Sequence, residues 1–125
     1  MASDQTAKVL LITDDSRVSR MMIRKFVQEQ QPDWVIVEAD SGPAALENIA
    51  HATPHFCTMD VNMPGMLGTE AVQLIREQYP AVKIAIFSAN IQESMQNKAA
   101  ELGVKFVAKP VTEKSVAQAL AFFLE

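Results

Sequence analysis

Five short apolar runs alternate along the chain with five segments of helical periodicity, and this alternation constrains the fold more than any other feature. The runs are Lys8 to Thr13, Trp34 to Val37, His55 to Asp60, Val82 to Phe87 and Val104 to Ala108. The first is short, β-branched and apolar, the pattern of a strand buried on both faces. Strands and helices alternating over short connections predict an α/β fold of the doubly wound kind. The expected architecture is a five-stranded parallel sheet with helices on both faces, joined by right-handed crossovers. A chain of 125 residues suits one domain, here 1–125 with its core from about residue 8.

The helical segments carry their own punctuation. Ser16 can cap the first, where Val18, Met22 and Phe26 recur at helical spacing and Met21 and Val27 widen the stripe. Ser41-Gly42-Pro43 looks like a cap and first turn, with Leu46 and Ile49 facing inward. Ala71, Leu74 and Ile75 mark the third helix, which Pro80 stops. Asn90, with Glu93 three residues on, resembles a capping box. Ile91, Met95, Ala99 and Leu102 then form an expected apolar face, and Gly103 ends it. Thr112 caps the last helix, whose inward stripe is Val116, Ala119, Leu120 and Phe123.

Composition narrows the partners. A net charge of −4 argues against a nucleic-acid surface, which needs clustered Lys and Arg. A single cysteine, Cys57, fits a reducing compartment. No apolar run approaches a membrane span. Met1 to Gln5 shows neither a basic nor an apolar signal region. The expectation is a cytoplasmic protein with no membrane insertion.

The strand ends carry the chemistry. Asp14 and Asp15 close the first run, Asp60 the third, Ser88 follows the fourth and Lys109 the fifth. In an open parallel sheet that edge is where ligands gather. Acids crowded in one cleft either raise a pKa or hold a cation. Oxygen ligands with no His or Cys nearby suit Mg²⁺. A carboxylate beside Mg²⁺ can attack phosphorus and become an acyl phosphate. Lys109 and Ser88 would then supply an ammonium and a hydroxyl to the phosphoryl oxygens.

The set Asp14-Asp15, Asp60 followed by Met63-Pro64 and Gly68, Ser88-Ala89, and Lys109-Pro110 resembles the receiver domain of two-component response regulators. Single-domain chemotaxis-type (CheY-like) regulators resemble it most in length. The resemblance implies a flavodoxin-like (βα)5 fold and a phosphoprotein switch in a phosphorelay. It makes Asp60 the phospho-acceptor, fed by a histidine kinase, a phosphotransfer protein or a small acyl phosphate. Mg²⁺ would be held by Asp15, Asp60 and the Asn62 backbone carbonyl, with Asp14 acting through a bound water. Lys109 would pair with the phosphoryl group, while Ser88 and Phe106 would form the switch. The Lys109–Pro110 peptide is commonly cis in the family. Ser88 stands where threonine is commoner and Phe106 where tyrosine is frequent. Thr13 precedes the acids where an apolar residue is usual.

Output is expected through a protein target on the face of the fourth helix, fifth strand and fifth helix, around Lys105 and Phe106. That reading takes no output domain to follow Glu125. A homodimer through the fifth helix is a further possibility, since Ala117, Ala121, Phe122 and Leu124 leave it little polar face. One alternative is a receiver cut from a longer transcription factor or hybrid kinase. Another, of a different class, is an aspartate-nucleophile phosphatase, although its acids would be spaced D-x-D rather than adjacent. A nucleotide-binding protein is weaker, with no phosphate-binding G-x-x-x-x-G-K-[ST] loop after the first strand. Met21, Met22, Met59 and Met95 read as core filler. His51 and His55 read as structural or surface residues, Cys57 as a buried hydrophobe and Trp34 as a packing residue.

Overall fold

A computed structural model describes residues 7–125, so the Met1 to Gln5 segment lies outside the described residues. Five strands and five helices alternate in the order β1 (Val9–Thr13), α1 (Arg17–Gln30), β2 (Val35–Ala39), α2 (Gly42–His51), β3 (Phe56–Asp60), α3 (Gly68–Gln78), β4 (Lys83–Ser88), α4 (Glu93–Leu102), β5 (Lys105–Ala108) and α5 (Glu113–Phe123). All pairings are parallel and the sheet order is β2-β1-β3-β4-β5. The doubly wound sheet predicted from the alternation is therefore present. Chain order reverses between β1 and β3, so their C-terminal ends flank a crevice.

The period-2 geometry of a strand splits the core into two layers. Leu11, Cys57, Met59, Ile84 and Ile86 face α2, α3 and α4. Leu10, Ile12, Phe56, Ala85 and Phe87 face α1 and α5, where Ile23, Val27, Val116 and Leu120 meet them. Each fully buried aliphatic side chain contributes about 1.5–3 kcal/mol. At the base of the sheet Phe56 is stacked between Trp34 and Phe123, with ring centroids 4.8 and 4.9 Å apart. His55 Nδ1 accepts the Val9 N–H at 3.0 Å, a structural role as expected.

The caps at Ser16, Ser41 and Thr112 accept backbone N–H groups at 3.0–3.2 Å, and Gly103 ends α4 in the left-handed region at φ 73°. Two helix readings are corrected. On α1 the buried residues are Ile23 and Val27, with Phe26 packed alongside, while Val18 and Met21 are 65% and 58% exposed and Met22 is also exposed. The helix is turned so that Arg20 and Arg24 reach Glu38 on β2, each at 2.8 Å, which swings the first apolar stripe outward. Met21 and Met22 are thus surface residues, not core filler.

On α4, Asn90 is not the cap. Its Oδ1 accepts the Gln92 N–H at 3.0 Å, closing a turn that delays the helix to Glu93. Ile91 falls in that turn and is exposed, leaving Ala99 buried and Met95 and Leu102 half-buried as the helix's inward face.

Thr58 Oγ is a buried side-chain oxygen with no hydrogen-bond partner among the described residues. It lies between Ile12 and Ala85 in the sheet register, where a methyl group would suit the surroundings better. Thr58→Val should raise the unfolding free energy by about 1 kcal/mol in urea titration. A loss of stability would show that the hydroxyl is satisfied.

Candidate functional site

The crevice at the β1/β3 reversal gathers three carboxylates. Oxygens of Asp14, Asp15 and Asp60 all lie within 4.8 Å of one another. Asp14 and Asp60 are buried, and Asp15 is exposed at the mouth. Parallel pairing in register makes this possible, because Thr13 sits opposite Met59 and the next residue of each strand is an acid.

Each acid is held by its local chain. Asp14 N–H donates to Ala39 O at 3.1 Å, and Asp14 Oδ1 accepts the Ser16 N–H at 2.8 Å. Beyond Asp60 the chain loops through Gly65, at φ 84°, and returns so closely that a Cβ on Gly68 would stand 2.0 Å from the Asp60 carbonyl oxygen. Only glycine fits there, which explains Gly68 physically.

Lys109 joins the cluster from β5. Its Nζ stands 3.0 Å from Asp60 Oδ1 and 3.3 Å from Asp14 Oδ2. The Lys109–Pro110 peptide is cis, as the resemblance implied, and Lys109 N–H donates to Ser88 O at 2.9 Å. Ser88 is buried at the end of β4, and its Oγ accepts the Asn90 N–H at 3.0 Å. Asn62 is exposed on the loop after Asp60. Phe106 is half-buried on β5, opposite Ile86, and packs against the core layer under α4. The structure therefore brings Asp14, Asp15, Asp60 and Lys109 together, keeps Ser88 at the adjacent strand end, and sets Phe106 further down β5.

Thr13, unexplained by its pattern, is buried with its hydroxyl 3.9 Å from Cys57 Sγ. Burial pushes the Cys57 thiol up to about 12, so it stays neutral. Reading the strand ends missed Arg20, whose Nη1 donates to the Asp14 carbonyl at 2.6 Å. No motif or spacing in the sequence marked it.

The donor set suits a hard divalent cation: three carboxylates, all oxygen, with no His or Cys in the cluster. The Asp60 carboxyl is pushed up to about 6: burial raises it, Lys109 pulls it down, and the Asp14 charge raises it again. Burial would lower the Lys109 ammonium, but the Asp60 and Asp14 carboxylates outweigh it and hold it above its ordinary value.

A carboxyl whose pKa is raised on folding contributes stability in acid and loses it as pH climbs through the folded value. For Asp60 that loss runs from about pH 4 to about pH 6 and is complete at about pH 7. In EDTA, Asp60→Asn should therefore be more stable than the parent at about pH 7, by about 1–3 kcal/mol. The advantage should vanish at about pH 3, below the ordinary carboxyl value, where the parent carboxyl is protonated in both states. Urea titrations at the two pH values check this.

Residues 10–121 match the family model described as the response regulator receiver domain. The chemotaxis protein CheY of Listeria monocytogenes is 35% identical over 112 residues, covering 89% of this chain and 93% of that one. The protein-glutamate methylesterase/protein-glutamine glutaminase of Geobacillus kaustophilus is 39% identical over 109 residues, covering 85% of this chain and 31% of that protein. Among solved structures, the response regulator domain of Thermotoga maritima CheB is similar with a TM-score of 0.81, at 26% identity and 95% coverage of both chains.

Proposed function

This chain belongs to the response regulator receiver domain family, of the CheY and CheB type, and from that premise we propose that Asp60 is the phospho-acceptor of a two-component phosphorelay. The carrying observation is the meeting of Asp14, Asp15 and Asp60 with Lys109 Nζ at 3.0 Å from the Asp60 carboxylate. Membership in a family of signalling switches displaces the aspartate-nucleophile phosphatase alternative.

In this reading Asp15, Asp60 and the Asn62 backbone carbonyl would hold Mg²⁺, and Asp14 would act through a water. Mg²⁺, when bound, offsets the crowded negative charge and screens the oxygens of an incoming phosphoryl group. An Asp60 carboxylate oxygen forms the new P–O bond while the bond from phosphorus to the donor breaks. The donor is a phosphohistidine of a kinase or phosphotransfer protein, or a small acyl phosphate. Lys109 exchanges its carboxylate contact for one to the phosphoryl group. Ser88, at the neighbouring strand end, releases the Asn90 N–H and donates its hydroxyl to a phosphoryl oxygen. Phe106 follows as the switch residue, changing the α4-β5-α5 face that a target protein reads.

The exposed apolar side chains support a protein donor. Val18, Met21 and Met22 on α1, Leu67 before α3 and Ile91 before α4 lie on elements that frame the mouth of the site. On α5 the outward residues include the small Ala117 and Ala121, and a homodimer there remains a proposal for ultracentrifugation. Whether the receiver works alone or within a longer regulator, as in the Geobacillus relative, is decided by the coding sequence beyond Glu125.

Incubation with Mg²⁺ and acetyl phosphate should add one phosphoryl mass to the parent protein and none to Asp60→Asn. A mass increment retained in the variant sinks the assignment. Asn62 and Asn90 flank the expected phosphoryl position and are both exposed. Changing either should alter the autodephosphorylation rate more than the phosphorylation rate, and unchanged decay in both variants would refute this.

A further inference from the structure

Arg20 takes no part in the chemistry proposed above, yet it links the site's acidic bend to β2. Its side chain is only 15% exposed. Nη1 donates to the Asp14 carbonyl at 2.6 Å, and Nε donates to Glu38 Oε1 at 2.8 Å. One turn on, Arg24 Nε donates to the other Glu38 oxygen at 2.8 Å, and its Nη2 donates to Ile36 O at 3.4 Å. Burial alone would raise the Glu38 carboxyl, but the hydrogen bonds and charges of Arg20 and Arg24 outweigh it and hold it below its ordinary value. Glu38 is thus a fixed, ionised anchor on β2 for a guanidinium that reaches across to the end of β1.

What Arg20 holds is more informative than how it is held. The Asp14 carbonyl belongs to the peptide that joins Asp14 to Asp15. That unit is planar and rigid, so turning it swings the side chains on both sides of it. The other polar atoms of Asp14 are occupied as well: N–H to Ala39 O, Oδ1 from Ser16 N–H, and Oδ2 beside Lys109. Arg20 supplies the remaining restraint, on the carbonyl. Without it the Asp14–Asp15 peptide loses the one restraint on its carbonyl, and with it part of what directs the exposed Asp15 side chain.

We propose that Arg20 is a positioning residue for the cation site: anchored by Glu38 and Arg24, it presets the Asp14–Asp15 peptide so that the acids meet a divalent ion beside Asp60. This rests on the Mg²⁺ reading given above. Charge alone makes the opposite forecast. A guanidinium near a cation site repels the cation, so on electrostatics alone its removal would tighten Mg²⁺ binding. A clamp that merely joins α1 to β2 would change stability and leave the affinity of the folded protein untouched.

The test is calorimetric titration of the full chain with MgCl₂, with far-UV circular dichroism to establish folding. The proteins are the parent, Arg20→Met, Arg20→Lys, Glu38→Gln and Asp15→Asn. Arg20→Met should bind Mg²⁺ about 10-fold more weakly, the scale seen when a group that orients a metal ligand is removed. Arg20→Lys should not restore it, because an ammonium cannot reproduce the guanidinium fork across two acceptors. Glu38→Gln should weaken binding in the same direction by several-fold, and it decides the matter if Arg20→Met does not fold. Folded variants that bind Mg²⁺ as tightly as the parent, or more tightly, overturn the inference while loss of binding in Asp15→Asn leaves the Mg²⁺ reading standing. A parent that binds no Mg²⁺, or an Asp15→Asn that binds unchanged, overturns both.

Discussion

Like charges crowded at one sheet edge are the constraint on which the rest of this structure depends. Asp14 and Asp60 leave water almost completely, and Asp15 stands beside them at the mouth. Two carboxylates a few ångströms apart repel by a few kcal/mol at protein-like dielectric, on the order of 332/(εr). Lys109 offsets this by standing within 3.3 Å of both buried acids. Its two ion pairs tie the ends of β1, β3 and β5 together across the crevice. A site built this way is held under electrostatic load, which suits the phospho-acceptor role proposed for Asp60.

The two-layer core is what makes that load tolerable. Aliphatic packing on both faces fixes the strands, so the acids cannot relax by moving apart. The layers do different work at the edge. On the α1 and α5 side, helix α1 supplies Arg20 to the acidic bend, and the loop before α5 supplies Lys109. On the other side, the turn before α4 ties Asn90 to the Ser88 hydroxyl. The group that must let go of Asn90 in the proposed switch is therefore at the end of a strand, next to a helix whose inward face is only one fully buried alanine and two half-buried residues.

The two misread helices have separate causes. Val18, Met22 and Phe26 lie at good helical spacing, but so do Ile23 and Val27, and a helix can turn only one stripe inward. Here Ile23 and Val27 are the pair buried against the sheet, and the same rotation lets Arg20 and Arg24 reach Glu38 on β2. Periodicity within α1 carries no information about a carboxylate on another element. At α4, Asn90 and Glu93 satisfy the spacing of a capping box, yet Asn90 is engaged by Ser88 Oγ on one side and Gln92 N–H on the other. The Asn90 backbone N–H is held by Ser88, and a side-chain oxygen that already closes the turn onto Gln92 cannot also serve as the cap.

The sequence by itself determined the alternation of strand and helix, the strand ends at which Asp14, Asp15, Asp60, Ser88 and Lys109 stand, and the stops at Gly103 and before Pro80. These are local properties: side-chain period, backbone freedom and capping act over a few residues. The tertiary structure decided which stripe of α1 is buried, how close Gly68 must pass to the Asp60 carbonyl, and that Lys109 meets Asp14 and Asp60 at 3.3 and 3.0 Å. It also decided that Arg20, silent in any motif, grips the peptide between the two acids. Those outcomes depend on distances between residues far apart in the chain, and such distances exist only once strand order and register have been set.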